Sequence, residues 1–331
     1  MKPRVLLTFG ETARRNYYGA TALAELQAIA EVRLNPGEAP LVGAALVEAA
    51  RGCRVIISDR QAAAPAALFE ALPELAVFQR CAVDVRNIDL AAAGAAGVLV
   101  THASAGFGNA VAEWALGAMV DLARRVSDAV HAYRSSEKPP IVMGRELRGA
   151  TLGVIGYGVI GQRLCAIGQA LGMRVLVADP FARPDASIPL LPLEQLLAQA
   201  DFVVCLAPAN AQTENLMDAQ RFAAMKPGSF FLNASRGELV DEAALLQALD
   251  SGHLAGCALD VGRAPDQMPS PGLAAHPRVV ATPHIGGLTP EAVEHQSRET
   301  VAQLAELLAG RMPAGALNPA QAARLRFLHS A

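Results

Sequence analysis

Three glycines in Gly156-Tyr-Gly158-Val-Ile-Gly161 follow the apolar run Thr151-Leu-Gly-Val-Ile155 directly and open a helix-like segment that reaches about Leu171. Each glycine has its own task in such a turn. Gly156 makes the turn tight, Gly158 lets a pyrophosphate approach the backbone, and Gly161 lets helix and strand pack closely. Tyr157, Val159 and Ile160 complete the segment, whose helix N-terminus offers N–H groups and the positive end of its dipole to the anion. Asp179 ends the next apolar run, within the expected about twenty residues of the glycines. A carboxylate there accepts hydrogen bonds from a ribose diol and repels a 2′-phosphate, so the expected dinucleotide is NAD rather than NADP. Arg183, close in sequence, works against that preference. The competing reading is a glycine-rich turn with a surface aspartate, but strand, turn, helix and acid all stand in the required order.

Two further residues have the chemistry to act on a small anionic substrate. Arg236 lies just past the apolar run Ser229–Ala234, in Asn-Ala-Ser-Arg-Gly. A planar guanidinium there can grip two oxygens at once, which the point charge of lysine cannot. His284 follows Arg278–Ala281, and an imidazole donates or accepts a proton near neutral pH. Gly286 and Gly287 leave room beside it for a flat ring. Both residues are expected at the carboxyl ends of strands, where open α/β sheets bind ligands. An isolated arginine or histidine is more often structural, and His131, His253, His276, His295 and His329 are read that way. His102, also at a strand end, is the one competitor for the acid/base role.

The elements that must carry these residues alternate from end to end. In the first third, Arg4–Phe9, Ala30–Leu34, Arg54–Asp59, Leu75–Cys81 and Gly97–His102 read as strands separated by Ala/Leu/Glu helices. A long amphipathic stretch runs from about Asn109 to Tyr133 before the polar segment 135–140 interrupts it. The rhythm then restarts with six strands: Thr151–Gly156, Arg174–Asp179, Asp201–Ala207, Ser229–Ala234, Gly256–Asp260 and Arg278–Ala281. The expected fold class is therefore α/β, with two Rossmann-like units. Thr289 and Pro290 signal the start of a last helix reaching about Leu308. Local sequence leaves open whether that helix returns to the first unit or forms a separate tail.

Composition supports the same class. Of 331 residues, 52% are hydrophobic and 18% charged, as strands covered on both faces require. A net charge of −3 with no Lys/Arg cluster makes nucleic acid an unexpected partner. No apolar run reaches membrane-spanning length and the start does not resemble a secretory signal, so a soluble cytoplasmic protein is expected. The cysteines, Cys53, Cys81, Cys165, Cys205 and Cys257, are odd in number and unpaired in spacing, which suits reduced packing residues. Neither they nor the histidines show zinc-ligand spacing, and no metal is expected.

Several blocks in order resemble the D-isomer-specific 2-hydroxyacid dehydrogenases. They are Leu147–Gly161, containing Arg-Gly-Ala-Thr-Leu-Gly-Val-Ile-Gly-Tyr-Gly; Met225–Asp241, containing Lys-Pro-Gly-Ser-Phe-Phe-Leu-Asn-Ala-Ser-Arg-Gly; Ala258-Leu-Asp-Val261; and Thr282-Pro-His-Ile-Gly-Gly287. The likeness is strong over 98–287 and traceable earlier through Asn87-Ile-Asp89 and Val111-Ala-Glu113. It implies a flavodoxin-like substrate domain, 1–98 and 288–331, into which a doubly wound NAD-binding domain, 99–287, is inserted, with the active site in the cleft between. It further implies hydride transfer between NAD(H) and a D-2-hydroxy acid or its 2-keto acid. Arg236 would orient the substrate and His284 would serve as general acid and base. The nicotinamide carboxamide would meet the Ala234 carbonyl and Asp260, and the adenosine side would rest on Leu206, Ala207, Pro208 and Thr213. A homodimer paired through the cofactor domain is also implied, and Val111, Trp114, Ala115 and Ala118 form an apolar stripe expected to serve it.

The chain departs from the family in two places. The family carries a glutamate that charges the histidine five residues after the aspartate of Ala-Leu-Asp, where this chain has Pro265; Asp266 is the nearest acid and the candidate substitute. The backbone turn that would take the substrate carboxylate contains Val83 and Asp84, and an anion there needs Arg60 or Arg86 to offset it. Two alternatives follow: an NAD-binding regulatory protein like the family's corepressors, and a dehydrogenase of a non-hydroxyacid such as formate or phosphite.

Overall fold

The computed structural model describes residues 2–328, apart from the side chain of Asp266; His329 lies outside the described residues. The chain divides into two compact units, Met1–Gly106 with Thr289–Ala331 and Phe107–Leu288. The expected lines at 98/99 and 287/288 shift to 106/107 and 288/289. A cut at 98 would remove Leu99–His102, a strand that completes the first sheet.

The first unit holds β1 (Arg4–Leu7), β2 (Glu31–Leu34), β3 (Val55–Ser58), β4 (Val77–Arg80) and β5 (Leu99–His102), all parallel, in the order β2-β1-β3-β4-β5. The inner strands β3 and β4 are buried along their whole length. Val5, Leu7, Val55, Ile57 and Val77 face one apolar cluster, while Leu6, Ile56 and Phe78 face another on the opposite side of the sheet. This alternation is why the strands read as continuous apolar runs.

The last helix, Pro290–Leu308, belongs to this unit. The Thr289 side chain caps it by accepting from the Ala292 amide at 3.3 Å. Its inner face carries polar groups that match polar groups of β5 and the buried Tyr18. Thr101 donates to Gln303 Oε1 at 2.7 Å, Gln303 Nε2 donates to the His102 carbonyl at 2.8 Å, and the Tyr18 hydroxyl lies 3.2 Å from Thr300 Oγ1. Beyond the helix, Asn318 acts as a substitute strand for β5, accepting from Val100 N at 2.8 Å and donating to Val98 O at 2.9 Å.

The second unit holds β6 (Thr151–Ile155), β7 (Arg174–Ala178), β8 (Phe202–Cys205), β9 (Phe230–Asn233), β10 (Gly256–Leu259) and β11 (Val279–Ala281) in the parallel order β11-β10-β9-β8-β6-β7. The stretch expected as one helix from Asn109 to Tyr133 is two, Gly108–Arg124 and Val126–Arg134, broken where Arg125 turns left-handed at φ 55°. The stripe Val111, Trp114, Ala115 and Ala118 is also corrected. Val111, Ala115 and Ala118 are buried, and Ala115, Ala118 and Trp114 pack in the unit's own core with Leu152, Val154 and Leu232.

Among the described residues no helix is long and apolar enough to cross a membrane, and no group of three or more His, Cys, Asp or Glu could hold a metal ion. All five cysteines are buried and free, and burial pushes the Cys165 and Cys205 thiols up to about 12.

Candidate active site

One register row of the second sheet organises the site. Ala178, Ile155, Cys205, Asn233, Leu259 and Ala281 are successive partners across six strands. Every site residue expected in this unit, apart from Asp266, follows its strand from that row: Asp179, Gly156–Gly161, Leu206–Pro208 with Thr213, Ala234–Arg236, Asp260, and His284–Gly287. Parallel strands all end at the same edge, so chemistry scattered over more than a hundred residues of sequence is collected there.

The glycine turn fits a pyrophosphate on its own geometry. Gly156 has φ +96°, and a Cβ there would lie 2.8 Å from the backbone of Leu206 and Ala207; a Cβ at Gly161 would lie 2.3 Å from Gly156 O. These two glycines are required by the protein's own packing. Gly158 differs, since a Cβ there would meet nothing within 4 Å, so the protein's own packing does not require this glycine and the space over it is open. Gly158 caps the helix Val159–Ala170 with no side-chain hydrogen bond, whereas Asp241 caps the helix Glu242–Asp250 by accepting from Ala243 N and Ala244 N. No side chain caps the first N–H groups of the helix after the glycines, which is the condition an anion at that end would need.

The Asp179 carboxylate, half-buried beyond β7, is bound from both sides. Oδ2 accepts from Tyr157 N at 2.8 Å, and Oδ1 accepts from Phe181 N at 2.8 Å and Ala182 N at 3.0 Å. The acid thus fixes the glycine turn, and Oδ2, which accepts a single bond, keeps lone-pair capacity for a ribose hydroxyl. Arg183 bends back to the Ala182 carbonyl at 2.8 Å. Asp179→Ser is expected to narrow the preference for NADH over NADPH, measured as the ratio of the two dissociation constants. Equal affinity for both in the unmodified protein would remove Asp179 from that role.

Elsewhere on the row, Thr213 turns its hydroxyl to the Pro208 carbonyl at 2.7 Å, closing the loop after β8. Asn233 shapes the exit of β9: its Oδ1 accepts from Ser235 N at 3.1 Å and its Nδ2 donates to Arg236 O at 2.9 Å. This local turn carries Arg236 out of the strand, and Arg236 Nη1 then donates to Ser235 O at 2.7 Å. Gly237 is needed here because a Cβ would lie 2.2 Å from the Gly262 backbone, where the loops after β9 and β10 cross.

The loop bearing His284 is tied to Asp260, which is buried. Thr282 donates to Oδ1 at 2.6 Å, Ile285 N to Oδ1 at 2.8 Å, and Gly286 N to Oδ2 at 2.8 Å, while His284 N donates to the Asp260 carbonyl at 2.9 Å. Trp114 Nε1 completes the chain with a 3.0 Å bond to Thr282 Oγ1. These contacts hold His284 at φ 56°, a left-handed conformation uncommon outside glycine that persists only where its surroundings enforce it. Trp114 and Thr282 are parts of this support that the sequence does not announce. The Thr-Pro-His block contained one of them, but the partner on a helix far away in sequence gave no signal.

Pro265 begins the 3-10 turn Pro265–Gln267. Asp266 sits within that turn, and its side chain lies outside the described residues. Of the histidines read as structural, His253 Nε2 lies 2.9 Å from Met225 O and His276 Nε2 lies 3.3 Å from Asp250. The competitor His102 is half-buried, with Nδ1 3.1 Å from Ala103 O.

In the first unit, Arg60, Val83 and Asp84 lie past the carboxyl ends of β3 and β4. Arg86 offsets Asp84 directly, with Nη2 2.8 Å from Oδ2 and Nε 3.1 Å from both oxygens. Asn87 Nδ2 donates to Arg60 O at 3.0 Å, joining the loops after β3 and β4.

Comparison with known proteins agrees with this architecture. Residues 116–286 match the family model for the D-isomer specific 2-hydroxyacid dehydrogenase, NAD binding domain. D-3-phosphoglycerate dehydrogenase of Mycobacterium leprae is 36% identical over 258 residues, 76% of this chain and 49% of that protein. The enzyme of the same name from Synechocystis sp. is 34% identical over 256 residues, 76% of this chain and 46% of its own. The chain therefore spans about half the length of the curated relatives it matches. Among solved structures, a protein from Thermus thermophilus superposes with a TM-score of 0.85 at 32% identity, covering 95% of this chain and 99% of the other. The apo-structure of D-lactate dehydrogenase from Escherichia coli gives 0.82 at 26% identity, with 96% and 100% covered. The family match covers the glycine turn, Asp179, Arg236 and His284, and with it the chain belongs to the D-isomer specific 2-hydroxyacid dehydrogenases, carrying their NAD-binding domain.

Proposed function

We propose that this chain is an NAD(H)-dependent oxidoreductase that interconverts a D-2-hydroxy acid and its 2-keto acid. The observation that carries the reading is the placement of Arg236 and His284, with Asp260 between them, past three adjacent strands on the edge that also bears the glycine turn. NAD supplies or takes up the hydride when bound. The Arg236 guanidinium holds the carboxylate and carbonyl of the keto acid and polarises the latter. His284 gives a proton to the developing alkoxide in reduction and receives it in oxidation. Ala234, Asp260, Gly286 and Gly287 line the nicotinamide side, with Asp260 acting chiefly through the His284 loop. Leu206–Pro208 and Thr213 serve the adenosine side. In the first unit, Arg60, Val83 and Asp84 belong to the turns proposed for the substrate.

The test is NADH oxidation against glyoxylate, pyruvate, hydroxypyruvate and bulkier 2-keto acids, with D-3-phosphoglycerate and NAD⁺ as the reverse arm suggested by the relatives' names. Turnover of at least one is expected. NADH binding without turnover of any would favour the regulatory reading, to which Pro265 in place of the glutamate lends support. A response only to formate or phosphite would move the reaction to a non-hydroxyacid.

Asp266 remains the proposed replacement for that glutamate. A carboxylate beside an imidazole favours imidazolium and raises its pKa, keeping the donor loaded as pH rises. Asp266→Asn is then expected to lower the pKa on the basic limb of kcat/KM for reduction by about a unit. An unchanged profile would exclude Asp266.

A homodimer is proposed, with a different face from the stripe first considered. Val126, Val130, Tyr133, Ile141 and Met143 stand exposed along 126–143 of the cofactor unit, an apolar series suited to a partner copy. Light scattering at micromolar concentration should give twice the chain mass, and Tyr133→Glu with Met143→Glu should halve it; a monomeric unmodified protein would sink the proposal. The buried, free cysteines support a reducing, cytoplasmic setting.

A further inference from the structure

Arg80, the last residue of β4, is fully buried beneath the loops on which the substrate turn was placed. Its Nη2 donates to Ala62 O at 2.9 Å and to Asn87 Oδ1 at 2.6 Å. Its Nε and Nη1 are buried with no hydrogen-bond partner among the described residues. A buried guanidinium with unsatisfied donors is costly, because desolvation is not returned as hydrogen bonds. Packing alone would favour an apolar residue at this position.

Two features account for its presence. The first is mechanical. Asn87 is held by Arg80 and in turn holds the Arg60 carbonyl at 3.0 Å, while Ala64 N bonds to Asn87 O at 3.0 Å and Asp89 N to Ala64 O at 2.9 Å. Arg80 therefore sits at the root of a zipper joining the loop after β3 to the loop after β4. The second is electrostatic. The loops above contain Asp59 and Asp84, both of which act on the Arg80 charge, with Arg60 opposing them. Asp59 is committed to its own turn, accepting from Gln61 N at 2.8 Å, Ala62 N at 2.9 Å and the Thr8 hydroxyl at 3.1 Å. Asp84 is paired with Arg86. Burial pushes the Arg80 guanidinium down to about 10, which still leaves it charged at neutral pH.

We infer that Arg80 is a positioning and specificity residue for the substrate carboxylate. It fixes the Arg60 and Asn87 loops, and its buried charge offsets Asp84 so that the Ala82–Arg86 turn can accept an anion. The inference rests on the proposed function, in which this turn receives the carboxylate. It also accounts for an acidic residue at a place where an anion must bind. Asp84 is balanced from solvent by Arg86 and from below by Arg80.

The experiment compares the unmodified protein with Arg80→Met, Asp84→Asn and the double variant Arg80→Met/Asp84→Asn. It reads KM and kcat for the best 2-keto acid, NADH affinity and Tm. Arg80→Met is expected to raise KM on the order of tenfold, the scale for losing one charge near another at intermediate dielectric. NADH affinity, a property of the other unit, should hold. Asp84→Asn alone should lower KM, and the double variant should recover part of the Arg80→Met loss, which a purely structural defect would not. If Arg80→Met does not fold, Asp84→Asn still decides, since an unchanged or raised KM there contradicts the charge balance. An unchanged KM in Arg80→Met, or no recovery in the double variant, overturns the inference while leaving the function intact. An unmodified protein that reduces no 2-keto acid overturns the function and the inference with it.

Discussion

His284→Ala should lower kcat for keto-acid reduction by ~10²–10⁴-fold, the range for loss of a general acid, while the dissociation constant for NADH stays within a few-fold of the unmodified value. The separation of the two effects follows from the site's layout. The glycine turn and Asp179 follow β6 and β7, whereas His284 follows β11 at the other end of the sheet order. The backbone at this position is held by its own N–H, bonded to Asp260 O and Thr282 O, and an alanine keeps those bonds. Stopped-flow measurement of hydride transfer alongside NADH titration checks both halves. Turnover within a few-fold of normal would take His284 out of the mechanism and bring His102 back into contention.

Asp260→Asn should be nearly as damaging, for a different reason. The two carboxylate oxygens accept three hydrogen bonds from the 282–286 segment, two of them from amide N–H groups that cannot rotate away. An asparagine turns one of those acceptors into a donor, which must then face either Gly286 N or the Ile285 and Thr282 donors. Bonds to a charged acceptor contribute roughly 1.5–3 kcal/mol each, and a buried donor left facing a donor adds its own desolvation cost. The left-handed backbone at His284 loses its support, and a displacement of about 1 Å is enough to cost on the order of 10²-fold in rate. We expect kcat to fall by about that factor with a smaller change in Tm than a core truncation would give. Trp114→Phe, which keeps the ring and removes only the N–H that supports Thr282, should move kcat in the same direction by less. Full activity in Asp260→Asn would show that the loop is held by other means.

The gathering of the candidate residues past the strand ends of the second unit was legible in sequence because each follows its own strand closely. Gly156–Gly161 stands between a strand and a helix, and the Asn-Ala-Ser-Arg block carries its arginine out through a turn made by Asn233, whereas the Thr-Pro-His block depends on Asp260 and Trp114 from other elements. The eleven strands were all anticipated to within about two residues, the inner ones as apolar runs buried on both faces, while the outer β2 and β11 are only partly buried. The extent of the Gly108–Arg124 helix was not legible, because its end depends on one arginine adopting a positive φ, which residue type alone does not indicate.

Tertiary structure decided what depends on distant partners. Whether Pro290–Leu308 formed a tail or part of the first unit turned on Gln303 and Thr300 finding Thr101, His102 and Tyr18, pairings separated by about two hundred residues or more that no local pattern announces. Trp114, part of an apolar stripe expected to serve a dimer, packs against the core of its own unit and donates to Thr282 Oγ1. Arg80 carries no signal in the sequence, and only its burial and its two buried nitrogens without hydrogen-bond partners set it apart. A sequence displays residue types and short-range spacing, which are enough for backbone turns and periodic burial. The partner of a buried polar group is chosen by the packing of the whole unit, and that choice is visible only once the chain has folded.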